Sequence, residues 1–180
     1  PPLRRVKYRV LGKTGIRVSV VGVGTWQYGG EWGKDYTPAD VAEILAAARA
    51  AGINLIDTAE CYGDHLSESL IGKAIRGERT KWIIATKFGH KFHGWMKRTD
   101  HFGASDALEH LDASLRALET DYVDILQLHS GVDAVFESDE LWKALHGAVR
   151  DGKVRHIGHS VSKPDNMRQV SALPGFGVDV

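Results

Sequence analysis

Four side chains of this sequence have types suited to proton transfer and polar binding: Asp57, Tyr62, Lys87 and His129. Asp57 closes the apolar segment Asn54-Leu55-Ile56-Asp57, Lys87 closes Ile83-Ile84-Ala85-Thr86-Lys87, and His129 closes Ile125-Leu126-Gln127-Leu128-His129. Tyr62 follows Asp57 by five positions. Each alone has an ordinary reading: an aspartate after a strand caps a turn, a lysine there is solvated, and a histidine there is hydrogen-bonded. Together, on consecutive strand ends, they are a much stronger signal of a reaction centre, and the set suits carbonyl chemistry. Reduction of a carbonyl needs a hydride on carbon and a proton on oxygen. A phenol with the ordinary pKa of about 10 is a poor proton shuttle near neutrality. A neighbouring ammonium is expected to lower that pKa. Lys87 is placed to do so, Asp57 to hold Lys87, and His129 to orient the carbonyl oxygen.

Such convergence requires the strand ends to share one side of a sheet. Short apolar runs alternate with helix-like stretches along the chain. Tyr8 to Leu11 and Ile16 to Val20 flank the turn Gly12-Lys13-Thr14-Gly15 and predict a hairpin. After the apolar run Val20 to Gly24, Thr37-Pro38-Ala39-Asp40 supplies a helix start, and Gly52 a stop. The second unit pairs Ile53 to Asp57 with a helix from Ser67 to Arg76. The third pairs Trp82 to Thr86 with a helix from Ser105 to Glu119, across a long loop. Leu108, Leu111, Leu115 and Leu118 are that helix's expected buried stripe. The fourth pairs Tyr122 to Leu128 with a helix from Ser138 to Arg150. The fifth pairs Val154 to Gly158 with a helix after Pro164, and Gly177 to Val180 reads as the opening of a sixth strand. Parallel strands joined by right-handed crossovers are implied. Periodicity leaves a doubly wound sheet and an eight-fold barrel both open; a barrel takes roughly 250 residues, so five units would be an interrupted one. The 180 residues are read as a single partial domain, 1–180.

Composition narrows the class. Lys plus Arg and Asp plus Glu are 23 each, a balance that argues against nucleic acid as a partner. No apolar run reaches the roughly 18–20 residues of a membrane helix. Pro1-Pro2-Leu3-Arg4-Arg5 has no apolar stretch behind it, so no signal peptide is expected. The single cysteine, Cys61, cannot form an internal disulfide, which fits a cytoplasmic location; its expected state is a small buried side chain. Gly22-Val23-Gly24 begins like a dinucleotide fingerprint, but Gln27 stands where the third glycine belongs. His90/His93 and His156/His159 have metal-like spacing without a second ligand cluster, so no metal is expected. Trp32, His93 and Trp95 fall in mouth loops, where they line a pocket or pack the loops.

The stretch Gly52-Ile53-Asn54-Leu55-Ile56-Asp57-Thr58-Ala59-Glu60-Cys61-Tyr62-Gly63 resembles the main signature of the aldo-keto reductase family. Leu70-Ile71-Gly72-Lys73-Ala74, Asp121 to Asp124 leading to His129, and Gly152 to Ser160 continue the resemblance, as do the hairpin and Gly24-Thr25-Trp26; it spans about residues 8 to 162. The resemblance implies a (β/α)8 TIM barrel, incomplete here, with the hairpin closing its N-terminal end. It implies NADPH, or less often NADH, and a small-molecule carbonyl substrate. Tyr62 becomes the general acid/base, Lys87 and Asp57 its supports, and His129 the group that orients the substrate. Thr25, Asp57 and Ser160 would lie near the nicotinamide, and Trp26 would form a substrate-pocket wall. The family often has Ser-Asn after the fifth strand; here it is Ser160-Val161. The chain stops at Val180, before the last strands and the loop that binds the adenosine phosphate, so weak cofactor binding by these residues alone is expected. Two alternatives accompany this reading. In one, Lys87 forms a Schiff base in an aldolase-like barrel, although an ammonium paired with Asp57 is a poor nucleophile. In the other, the fold serves as a cofactor-sensing regulatory subunit.

Overall fold

The computed structural model describes residues 6–161 and 167–180. Five parallel strands form the main sheet: β3 (Val23–Gly24), β4 (Leu55–Asp57), β5 (Ile83–Phe88), β8 (Val123–His129) and β9 (Val154–Ser160), side by side in that order. Helices α1 (Pro38–Ala50), α2 (Leu66–Ala74), α3 (Ala104–Ala117) and α4 (Asp139–Arg150) cross over between them, and α5 (Met167–Ala172) follows β9. This is the expected α/β barrel architecture, open rather than closed. The start of the predicted fifth helix, after Pro164, lies outside the described residues.

Local chemistry sets the element ends. Thr37 caps α1 through a reciprocal pair of bonds with Asp40, and Pro38 occupies its first turn, where no backbone donor is needed. Gly52 then turns the chain at φ +87°, a region that side-chain-bearing residues avoid. In α3 the buried face is Ala107, Leu111, Ser114 and Leu115, continued by Leu118. Leu108, expected in this stripe, is exposed; at 100° per residue it falls on the stripe's edge.

The predicted hairpin is present: β1 (Tyr8–Val10) pairs antiparallel with β2 (Arg17–Ser19). It docks where β4 begins. Asn54 Oδ1 accepts the Ser19 N–H at 2.8 Å, and Asn54 Nδ2 donates to the Arg17 carbonyl at 3.0 Å. A second hairpin was not expected. The long loop after β5 contains β6 (His90–Phe92) and β7 (Arg98–Asp100), paired antiparallel. His-Lys-Phe and Arg-Thr-Asp carry no apolar alternation, so periodicity has nothing to detect. Residues 178–180 are not a strand, although Asp179 N–H donates to the Ile157 carbonyl and Val180 O accepts from His159 N–H. The segment lies along β9 as a sixth strand would begin.

The sheet register decides what can meet. Asp57 pairs with Gly24 and with Ala85; Lys87 pairs with Gln127; His129 pairs with Ser160. Paired residues share a face, and residues two apart on one strand share it too. Gly24, Asp57, Ala85, Lys87, Gln127, His129 and Ser160 therefore occupy one face, toward the C-terminal ends of the strands. The opposite face carries Ile56, Ile84, Phe88, Leu126, Leu128 and Ile157, all buried against the helices. The core thus lies between sheet and helices, and the polar set faces away from it.

The N-terminal end of the sheet has its own polar anchor. Asp124 is fully buried; Oδ2 accepts from Arg79 at 2.8 Å and from the Ile84 N–H at 3.0 Å, and Oδ1 accepts from Arg155 at 2.9 Å. Both guanidinium groups also lie over the Tyr122 ring. Three charges are held beneath the strands, at the end opposite the predicted site.

Candidate active site

Lys87 lies in β5, one residue before its end, and is 4 % exposed. Its Nζ donates to Asp57 Oδ1 at 2.7 Å and to the Thr58 carbonyl at 2.8 Å, and lies 3.4 Å from Tyr62 Oη. A buried ammonium is tolerated because each direction it faces offers an oxygen. The Asp57 side chain remains 45 % exposed, so the pair opens to solvent on the carboxylate side. His129 ends β8 and meets the Tyr62 ring edge-on, with centroids 6.0 Å apart. The structure therefore brings together all four residues expected to converge.

Tyr62 is placed by backbone packing. The 3-10 turn Trp26–Gly29 presses Gly29 against the chain at Tyr62; a Cβ on Gly29 would stand 2.6 Å from the Tyr62 carbonyl carbon. Reciprocally, Gly63, at φ +69°, would put a Cβ 2.4 Å from the Gly29 oxygen. Only two glycines let these backbones touch.

The electrostatic outcome differs from expectation. Lys87 was expected to lower the Tyr62 pKa, yet the phenol is pushed well above its ordinary value. Burial is the main cause, followed by the neighbouring acidic groups Asp57, Cys61 and Glu60, with Arg98 opposing. Burial and the acidic neighbours outweigh the ammonium, whose field Asp57 at 2.7 Å partly offsets. Tyr62 is thus held as the neutral phenol, the form that donates a proton.

A pocket of about 470 Å³ opens beside Glu60 and α3, but the pocket that reaches Tyr62 and His129 is a different one, of about 270 Å³. Trp26, Cys61, His90, Met96 and Arg98 complete its lining. Trp26 stacks on Tyr62 at 6.0 Å and forms one wall. Its Nε1–H donates to Glu31 Oε2 at 2.9 Å. The other expected aromatic residues pack the loops instead. Trp32 meets Trp26 edge-on, Trp95 donates to the Glu31 carbonyl, and His93 bonds Thr99 within the second hairpin.

Sequence reasoning missed Glu31 and Arg98. Glu31 is buried and accepts from Trp26, from the Met96 N–H at 2.7 Å and from Arg98, which also donates to the Cys61 carbonyl at 3.1 Å. Burial alone would raise the Glu31 carboxyl, but these donors outweigh it and hold it below the usual range. The pair straps the second hairpin over the pocket. No local motif announces it, because the two residues are 67 positions apart.

Thr25 is buried; its hydroxyl donates to the Asp57 carbonyl at 2.8 Å, and the Ser67 hydroxyl lies 3.0 Å away. Thr25 thereby ties the end of β3 to the end of β4. Ser160 ends β9 at the same mouth. Gly24 is exposed, with open space above its α-carbon. Among the described residues, no helix is long and apolar enough to cross a membrane.

Residues 20–179 match the aldo/keto reductase family. The chain is 36 % identical to the aldo-keto reductase YhdN of Bacillus subtilis over 176 residues, covering 93 % of this chain and 52 % of that protein. It superposes on aldo-keto reductase AKR11C1 from Bacillus halodurans, holo form, with TM-score 0.82 and 30 % identity, covering 98 % of this chain and 56 % of that one. An aldo/keto reductase from Klebsiella pneumoniae in complex with NADP and acetate gives TM-score 0.69 and 30 % identity, covering 87 % and 50 %. The chain spans about half the length of the curated relatives it matches.

Proposed function

Because the chain belongs to the aldo/keto reductase family, we propose that the whole protein is an NAD(P)H-dependent oxidoreductase that reduces aldehydes or ketones to alcohols, or runs the reverse reaction. Residues 1–180 are part of its single barrel domain. The observation that carries this reading is one ammonium, Lys87 Nζ, placed against both Asp57 and Tyr62, with Tyr62 and His129 lining one pocket.

A reduced nicotinamide would be held at the open mouth beside Gly24, by the half-exposed Asp57 carboxylate and by Ser160, and would supply the hydride. Tyr62 Oη gives its proton to the carbonyl oxygen as negative charge develops there. Burial, which keeps the phenol protonated, holds that proton ready. Lys87 then stabilises the phenolate left behind, and Asp57 fixes Lys87. His129, across the pocket, donates to the same carbonyl oxygen and sets its angle. Trp26, stacked on Tyr62, excludes water from one side. Thr25 acts indirectly, through the Asp57 carbonyl it holds. We assign NADPH as the preferred cofactor, with NADH as the less common option. A single buried cysteine suits a reducing compartment such as the cytoplasm.

The Schiff-base alternative loses support, since Lys87 Nζ is in an ion pair with the Asp57 carboxylate at 2.7 Å, and an ammonium has no lone pair with which to attack a carbonyl. The test is loss of reduced-nicotinamide absorbance with a panel of aldehydes and ketones, using the full-length parent and Tyr62→Phe. Turnover in the parent with a fall of ~10²–10⁴-fold in the variant is expected. Undiminished turnover in Tyr62→Phe refutes the mechanism. No turnover on a broad panel, despite cofactor binding, would leave the regulatory-subunit reading.

A further inference from the structure

Three donor atoms converge at one side of the pocket in a pattern that carbonyl reduction does not require. Cys61 Sγ lies 3.6 Å from His129 Nδ1, and Glu60 Oε2 lies 3.8 Å from the same nitrogen. All three atoms fall within 4.8 Å of one another. Ligands of a tetrahedral zinc ion, bound at ~2.0–2.3 Å, stand roughly 3.3–3.8 Å apart. The triangle therefore needs only a small contraction to close on an ion.

Glu60 adds an independent sign. It is 2 % exposed, and its Oε1 accepts the His90 N–H at 2.8 Å. Its Oε2 is buried with no hydrogen-bond partner. Buried carboxylate oxygens are almost always satisfied, so an orphan needs an explanation, and a bound ion supplies one. The oxygen left over is the one that faces His129 and Cys61.

We propose that Glu60, Cys61 and His129 form a binding site for a borderline-soft divalent cation of the zinc class, with a fourth coordination position open to the pocket. A carboxylate, a thiolate and a neutral imidazole neutralise the dication, so the loaded site carries no net charge into a buried setting. Sulfur and nitrogen donors select zinc-like ions over magnesium and calcium. On binding, the Cys61 thiol releases its proton to solvent as the sulfur–metal bond forms, without oxidation. Occupancy ties His129 to the ion, and so blocks substrate orientation; this consequence rests on the proposed reductase reading, whereas the binding itself does not.

The test uses the full-length, cofactor-free protein titrated with Co²⁺ as a spectroscopic probe. One equivalent should produce a thiolate-to-cobalt charge-transfer band in the near ultraviolet, displaced by Zn²⁺ and untouched by Mg²⁺. Cys61→Ser should abolish the band, and Glu60→Gln should weaken binding at least tenfold while circular dichroism shows a folded chain. No band in the parent, a band retained in Cys61→Ser, or undiminished affinity in Glu60→Gln would overturn the site. Zn²⁺ at saturating occupancy should then suppress turnover of the parent. A bound ion with turnover unchanged would overturn the inhibitory link and leave the site standing, and an inactive parent that still shows the band would count against the reductase reading alone.

Discussion

Replacing Lys87 with methionine separates support of the fold from support of the chemistry. Methionine nearly matches the lysine stem in length and removes the charge. Three partners lose a donor, the half-exposed Asp57, the Thr58 carbonyl and, at 3.4 Å, Tyr62 Oη. The Thr58 carbonyl belongs to a fully buried residue, and an orphaned buried acceptor costs ~1–3 kcal/mol. Asp57 is 45 % exposed, so water replaces its lost bond. The ~3–5 kcal/mol typical of breaking a fully buried pair is therefore not reached. A loss of about 2 kcal/mol in unfolding free energy is expected. Chemistry should suffer more. Without the ammonium 3.4 Å from Tyr62 Oη, the phenolate formed after proton transfer loses the cation in contact with it, and Arg98, already paired with Glu31, is left as the remaining one. The effect should match the usual contribution of a positioned acid/base, ~10²–10⁴-fold, or about 3–5 kcal/mol in the barrier at 1.36 kcal/mol per tenfold. Urea unfolding and turnover of the full-length parent and variant measure both. A folded Lys87→Met protein whose turnover stays within tenfold of the parent would refute the role assigned to Lys87. A stability loss well beyond ~3–5 kcal/mol would refute the premise that Asp57 is hydrated.

Three further perturbations probe other parts of the molecule. Asp124→Ala should destabilise the full-length protein by ~3 kcal/mol, the low end for a broken buried pair because Arg155 stays half exposed; turnover per folded molecule should be unchanged, and a denaturant titration with an activity assay checks both. Gly29→Ala should cost ~1–3 kcal/mol by forcing a Cβ against Tyr62, and, unlike Asp124→Ala, should also cut turnover by displacing the phenol; a variant of full activity and stability would contradict the close packing. Glu31 has a depressed folded-state pKa, so its stabilising contribution is present above the unfolded carboxyl value of about 4.3 and is lost as pH falls through the folded value. In Glu31→Gln the acid-induced loss of stability should be shallower than in the parent, and thermal unfolding across that pH range, showing identical slopes, would count against it.

Much of the architecture was legible because its signals are local. A cap, a proline and a glycine mark α1, and apolar runs mark each strand of the main sheet. Asp57 and His129 could be placed at strand ends because apolar segments stop at them. The second hairpin was not legible, since its short strands carry polar side chains and are held by Arg98 and Glu31, which are far apart in sequence. The direction of the Tyr62 shift was misread for a related reason. The sequence shows that a lysine and a tyrosine are present, but not that Asp57 partly offsets the lysine while burial governs the phenol.

By itself the sequence determined the order of the main-sheet strands and their helices, the chemical types available and the family signature, because periodicity, capping and motif spacing act over a few neighbouring residues. Only the tertiary structure decided which polar atoms meet and in what protonation state. The parallel register sets Lys87 opposite Gln127 and His129 opposite Ser160. The contact of Gly29 with Tyr62 fixes the phenol, and the packing of Glu60 leaves one carboxylate oxygen unpaired beside Cys61 and His129. Those outcomes depend on distance and dielectric between segments remote in the chain, and both exist only once the sheet has formed.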